Sequence, residues 1–153
     1  MKKLNLCFIL FILIFSSVNS FSQDKGFGAG IILGEPTGIS AKYWLNNVNA
    51  FDYALGSSFA SNGRIHLHID YVWHTFDPFP STETFVLYYG PGIRVKTREF
   101  GNSVLGIRGV MGLAWFVKTA PIDVFVEIVP VLNLTPDVNM SLNAGLGARF
   151  YFE

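Results

Sequence analysis

All three histidines of the chain fall in one run, Arg64-Ile65-His66-Leu67-His68-Ile69-Asp70-Tyr71-Val72-Trp73-His74. His66, His68 and Asp70 occupy alternate positions, and on an extended strand such side chains point the same way about 7 Å apart. Because His-x-His on a strand can chelate zinc, these three residues form a candidate metal site. The run begins like the His-x-His-x-Asp-His metal motif, but Tyr71 stands where that motif has its last histidine, and no helix is expected to follow. Polar residues at every second position are also what the wet face of a two-faced strand requires. The expectation carried forward is therefore no metal, no cofactor and no catalytic residue, with His66 and His68 as hydrogen-bonding histidines. His74, at the end of the run, is expected to titrate freely.

The element that positions these side chains is one of a series. Period-two alternation runs through most of the chain and is broken at strand-like intervals by Gly, Pro, Asn and Asp clusters. Eight strands are predicted, over 25–33, 37–45, 49–58, 63–74, 84–96, 103–118, 121–132 and 138–152. The last is the clearest: Val138, Met140, Leu142, Ala144, Leu146, Ala148, Phe150 and Phe152 alternate with Asn139, Ser141, Asn143, Gly145, Gly147, Arg149 and Tyr151. Glycine and proline in Gly34-Glu35-Pro36-Thr37-Gly38 read as tight-turn chemistry between two strands rather than as a phosphate loop, which needs a following helix.

Alternation alone does not say which face is inside. A lipocalin or soluble sandwich has an apolar interior, and a membrane barrel has a polar one. Two features favour the polar interior. The polar faces are rich in glycine, including Gly28, Gly30, Gly56, Gly90, Gly92, Gly106, Gly112, Gly145 and Gly147, which suits a crowded lumen better than a solvated exterior. The apolar faces carry long side chains and essentially no charge, in a chain that is 50% apolar and 14% charged. A soluble protein would not expose such a surface. The apolar-face aromatics Phe27, Tyr43, Phe51, Tyr53, Tyr71, Trp73, Phe85, Tyr89, Trp115, Phe150 and Phe152 also gather toward one end, as an interfacial girdle should, although the other end lacks a matching band.

The first residues read as an address. Lys2 and Lys3 precede an apolar segment from Leu4 to Phe15 and a small polar run ending near Ser22. This is short for a spanning helix and has the form of a secretory signal, so residues 1–22 are assigned as a signal peptide and 23–153 as a single barrel domain. The lone cysteine, Cys7, lies within that leader, so neither a disulfide nor thiol chemistry is expected in the mature chain. Without the leader, nine basic residues face 11 acidic ones, which gives no reason to expect nucleic acid as a partner.

With these features the chain resembles the small eight-stranded bacterial outer-membrane barrels of the OmpA and OmpX kind over residues 25–153. Its end, Gly147-Ala148-Arg149-Phe150-Tyr151-Phe152, is similar to their C-terminal insertion signal, with Gly147, Phe150 and Phe152 at the signal positions. The segments Gly34 to Trp44 and Phe125 to Pro130 also resemble recurring pieces of a group of uncharacterised bacterial outer-membrane proteins. The resemblance implies an all-β, eight-stranded, antiparallel, up-and-down transmembrane β-barrel in the outer membrane of a Gram-negative bacterium. It further implies outer-membrane lipid and the barrel assembly machinery as partners, and no particular activity.

Eight strands leave a lumen that side chains can fill. Its interior must accommodate Lys42, Asp52, Arg64, Asp70, Arg94, Lys96, Arg108, Lys118, Asp123, Glu127 and Arg149, and buried charges persist when paired. The expectation is a plugged, non-conducting barrel in which Asp70, Glu127 and Asp52 face Arg94, Arg108, Arg149 and Lys42. Its role would be structural or in envelope interaction, with a monomer favoured. The connections at the outer end are short, whereas the longest, Phe76 to Glu83, falls at the other end and offers Asp77-Pro78-Phe79-Pro80 for a periplasmic contact. The rival readings are an enzyme acting on lipid A and a soluble lipocalin-like carrier. The first needs a nucleophile and base at the lipid boundary, but the alternation points His66 and His68 inward.

Overall fold

The computed structural model describes residues 26–58, 64–97 and 103–152; the expected signal peptide, residues 1–22, lies outside them. Eight strands follow one another: β1 Phe27–Gly34, β2 Thr37–Trp44, β3 Asn49–Ser58, β4 Arg64–Phe76, β5 Thr84–Lys96, β6 Val104–Phe116, β7 Ile122–Asn133 and β8 Asn139–Phe152. Each pairs antiparallel with its neighbours, and β1 closes on β8 to make an up-and-down barrel. The closing seam runs in register from Phe27 opposite Phe152 to Gly34 opposite Gly145. Closure removes the free edges that an open sheet would present.

The alternation orients every strand. Along β6, Val104, Gly106, Arg108, Val110, Gly112 and Ala114 are buried, while Leu105, Ile107, Met111 and Trp115 are exposed. The same pattern in β7 turns Asp123, Phe125, Glu127, Val129 and Val131 inward and Val126, Ile128 and Leu132 outward. The polar face is therefore the inside. Inward glycines make room for bulky lumen groups: a Cβ at Gly112 would collide with the Tyr88 ring, and one at Gly92 with the Asp70 carboxylate.

Both described chain ends and the connections 45–48, 77–83 and 117–121 lie at one end of the barrel, called here the terminal end. The β1–β2 and β7–β8 connections lie at the far end. Outward aromatics ring the terminal end. Phe27 stacks on Phe152 at 6.3 Å, Phe51 meets Tyr71 at 5.4 Å, Tyr71 meets Trp73 at 4.9 Å, and Trp73 stacks on Tyr89 at 6.2 Å.

Two residues depart from their sequence reading. Lys118 was expected in the lumen, but β6 stops at Phe116 because the Val117 amide bonds to the Ile122 carbonyl and starts the turn. The Lys118 ammonium is exposed and donates to the Thr82 carbonyl. His74 was placed at a strand end; β4 instead runs on to Phe76, and His74 is buried against Trp44, with ring centroids 4.1 Å apart. The side chain of Arg64 lies outside the described residues.

Candidate functional site: the charged lumen

Cross-strand register decides which lumen charges meet. Near the terminal end Lys42 lies opposite Asp52, and Asp123 opposite Arg149. Lys42 Nζ is 3.3 Å from Asp52 Oδ2 and donates to His74 Nε2 at 2.9 Å. An ammonium can only donate, so His74 Nε2 accepts and its Nδ1 carries the hydrogen, which points to the Val48 carbonyl 2.9 Å away. Arg149 closes this tier. Its Nε and Nη2 donate to Asp123 at 3.0 and 2.9 Å, its Nη1 donates to Asp52 at 3.0 Å, and its guanidinium lies 4.1 Å from the Phe125 ring centroid. The Tyr151 hydroxyl donates to Asp123 Oδ2 at 2.7 Å.

Asp52 and Asp70 sit directly opposite each other, an arrangement that costs stability for like charges. The two carboxylates turn to different cations. Asp52 takes Lys42 and Arg149, whereas Asp70 Oδ1 lies 2.8 Å from Arg108 Nε, an ion-pair contact outside hydrogen-bond angles. Arg108 also reaches Glu127 Oε1 at 3.4 Å, and Glu127 accepts from the Tyr88 hydroxyl at 3.0 Å.

The candidate metal residues belong to this middle tier. His68 Nδ1 accepts from Arg108 Nη1 at 2.7 Å, leaving the ring hydrogen on Nε2, 3.7 Å from Asp70 Oδ2. His66 Nε2 lies 3.3 Å from His68 Nδ1. A cation placed among His66, His68 and Asp70 would have to displace the Arg108 guanidinium, so the donor set does not fit a metal ion. Among the described residues, no group of three or more His, Cys, Asp and Glu is arranged to hold one.

The far tier contains partners that sequence reasoning missed. Glu35, read as a turn residue, folds its carboxylate into the lumen mouth. It lies 2.5 Å from Lys96 Nζ and 3.7 Å from His66 Nδ1, and accepts from the Ser58 hydroxyl. Lys96 also donates to Ser58 at 3.1 Å. Ser58 is buried between the two, donating to the Glu35 carboxylate and accepting from the Lys96 ammonium, so the three side chains form a clamp at the lumen mouth. The signal for it in the chain is the placement of Glu35 between β1 and β2, at the end of the barrel where β5 finishes with Lys96.

Arg94 departs from the expected network. It was to face a carboxylate, but its Nη2 donates instead to the neutral Asn133 Oδ1 at 2.5 Å and Ser141 Oγ at 3.4 Å. The staggered register of β5, β6 and β7 carries it past the level of Asp70 and Glu127. At the chain end, Gly147 faces inward against the Phe125 ring, and Phe150 and Phe152 face outward in edge contact at 5.4 Å.

The fold and its interior define a closed, eight-stranded β-barrel with a packed, charged lumen. Comparison of the chain with protein-family models, curated proteins and solved structures finds no significant match.

Proposed function

We propose that this protein is an integral outer-membrane barrel of the small OmpA- and OmpX-like kind, exported by its leader and non-conducting. The observation that carries this reading is the inverted distribution of polarity. Ile31, Ile39, Met111, Val126 and Ile128 lie half or more exposed around the wall, while Lys42, Asp52, Asp70, Arg108, Asp123 and Arg149 are buried inside. Water is a poor solvent for that exterior, and a lipid bilayer is a good one. A lipocalin-like carrier would have the opposite orientation.

The tiers of ion pairs and the Tyr88, Phe125 and Tyr151 rings fill the lumen, which supports a closed pore. Function then resides in the wall and rims: outer-membrane lipid and, during insertion, the barrel assembly machinery are its partners. The exposed Phe79, packed on Phe85 at 5.1 Å, offers a periplasmic protein contact. The role is structural or in envelope interaction, and not enzymatic.

The test is fractionation of tagged cells, gel migration of the outer-membrane fraction with and without boiling, and planar-bilayer recording. The expected result is outer-membrane recovery, a heat-dependent mobility shift and no steady conductance above leak. Recovery as a soluble periplasmic protein would overturn the membrane assignment, and a stable conductance would overturn the closed lumen. Substituting His66, His68 or Asp70 singly should leave lipid A mass profiles unchanged; an altered profile would favour the enzyme.

A further inference from the structure

The lumen cations are not equally neutralised. Lys96 has Glu35, Arg108 has Asp70 and Glu127, Lys42 and Arg149 share Asp52, and Arg149 also has Asp123. Arg94 is 3% exposed, and no carboxylate lies within ion-pair distance of it among the described residues. Its Nη2 is used on Asn133 and Ser141, while its Nε and Nη1 have no hydrogen-bond partner among the described residues. The buried Asn143, two residues from Ser141 on the same inward face of β8, likewise has an Nδ2 donor without an acceptor. A buried guanidinium without a counter-charge costs several kcal/mol, and lone donors add to that cost.

Beside these donors, whose atoms are themselves buried, the paired β1–β8 seam ends in a notch. β1 stops pairing with β8 at Gly34 opposite Gly145, and the Glu35 amide makes one further bond to the Ala144 carbonyl. Beyond that point Asn139 to Asn143 pair only with β7 among the described residues. Ser141, half-buried on this stretch, stands between the notch and Arg94. Outside the notch are Val138, Met140 and Leu142, at 72, 76 and 72% exposure the three most exposed large apolar side chains described.

We propose that this notch admits a phosphate group to a binding site formed by Arg94, Ser141 and Asn143. A guanidinium is weakly hydrated and geometrically matched to phosphate oxygens. Phosphate supplies both a close counter-charge and acceptors for Nε, Nη1 and Asn143 Nδ2. The group reaches the site either as the free ion through the far mouth or on a lipid whose chains lie against Met140 and Leu142. The lipid route rests on the proposed membrane location, whereas the free-ion route does not.

The test uses the full mature chain refolded in phosphate-free non-ionic detergent and titrated with inorganic phosphate by calorimetry. In parallel, protein extracted from membranes is examined by native mass spectrometry for retained phosphate-bearing lipid. The variants are Arg94→Gln, which removes the charge, and Ser141→Asp, which supplies a carboxylate next to the guanidinium. Heat-dependent gel migration reports folding separately. Saturable phosphate binding that weakens about ten-fold or more in both variants identifies the free ion. Lipid retention lost in both variants, without binding of the free ion, identifies the lipid. Absence of both, or binding undiminished in Ser141→Asp, overturns the proposal. Should Arg94→Gln fail to fold, Ser141→Asp decides alone, since its added carboxylate neutralises the buried charge.

Discussion

Arg149 and Asp123 are cross-strand partners joined by a forked pair of hydrogen bonds, Nε to Oδ1 at 3.0 Å and Nη2 to Oδ2 at 2.9 Å, with both side chains fully buried. Replacing Asp123 by Asn leaves the guanidinium short of charge, and the expected loss is about 3–5 kcal/mol of unfolding free energy in lipid vesicles. The double variant Asp123→Leu/Arg149→Met should recover much of that loss, because an apolar pair of similar volume has no desolvation cost. Urea titration followed by tryptophan fluorescence checks both. A double variant no better than Asp123→Asn would show that the other partners, Asp52 and Tyr151, carry the tier.

Gly112 and Tyr88 share one space in the lumen. Gly112→Ala would drive a methyl group into the Tyr88 ring, and overpacking of this kind costs about 1–3 kcal/mol. Adding Tyr88→Leu should restore part of the stability by vacating that space, although it also removes the hydrogen bond to Glu127. Gly112→Ala alone matching the parent in urea midpoint would mean that the lumen is more loosely filled than described.

The lipid-facing assignment makes a depth-dependent prediction. Ile128→Arg, near the middle of β7, should cost about 2–4 kcal/mol in a bilayer, whereas Met140→Arg near the far rim should cost about 0–1 kcal/mol. Both positions are more than half exposed, so a water-soluble barrel would tolerate the two equally. Refolding yields and urea midpoints in vesicles would separate these cases.

Glu35, in the β1–β2 turn, provides a pH response. Burial raises its carboxyl affinity for a proton, but hydrogen bonds from Lys96 and Ser58 and the charge of Lys96 more than offset this and hold it below the usual glutamate range. A carboxylate depressed in the folded state contributes stability above its unfolded value, about 4.3, and loses that contribution as the pH falls through the folded value. Stability of the parent should therefore fall more steeply than that of Glu35→Gln between about pH 5 and about pH 3. Parallel curves for the two proteins would argue that the clamp does not act at the rim.

The secondary structure and the sidedness of the wall were legible in the residues. Alternation in β6, β7 and β8, together with glycines concentrated on the polar face, left a narrow barrel with its charges inside as the consistent arrangement, and the structure has eight antiparallel strands in closed order. Strand ends were less legible. Whether β6 reached Lys118 or β4 reached Phe76 depended on turn hydrogen bonds such as Val117 to Ile122 and Asp77 to Phe85, which alternation does not encode.

Which charges meet was decided by the tertiary structure. Alternation places Arg94, Arg108, Asp70 and Glu127 on inward faces, but the strands are tilted and staggered when the sheet closes, so partners at one level come from distant positions. That stagger brings Arg149 to Asp52, 97 residues away, and carries Arg94 past Asp70 and Glu127 to Asn133 and Ser141. It also leaves β1 and β2 shorter than β8, so that Asn139 to Asn143 run past the end of the β1–β8 seam. By itself the sequence determined the faces of the strands, since that property is local and repeats every two residues. Register around a closed ring is a property of all eight strands together, and it settled the ion pairs, the clamp at Glu35 and the exposed edge.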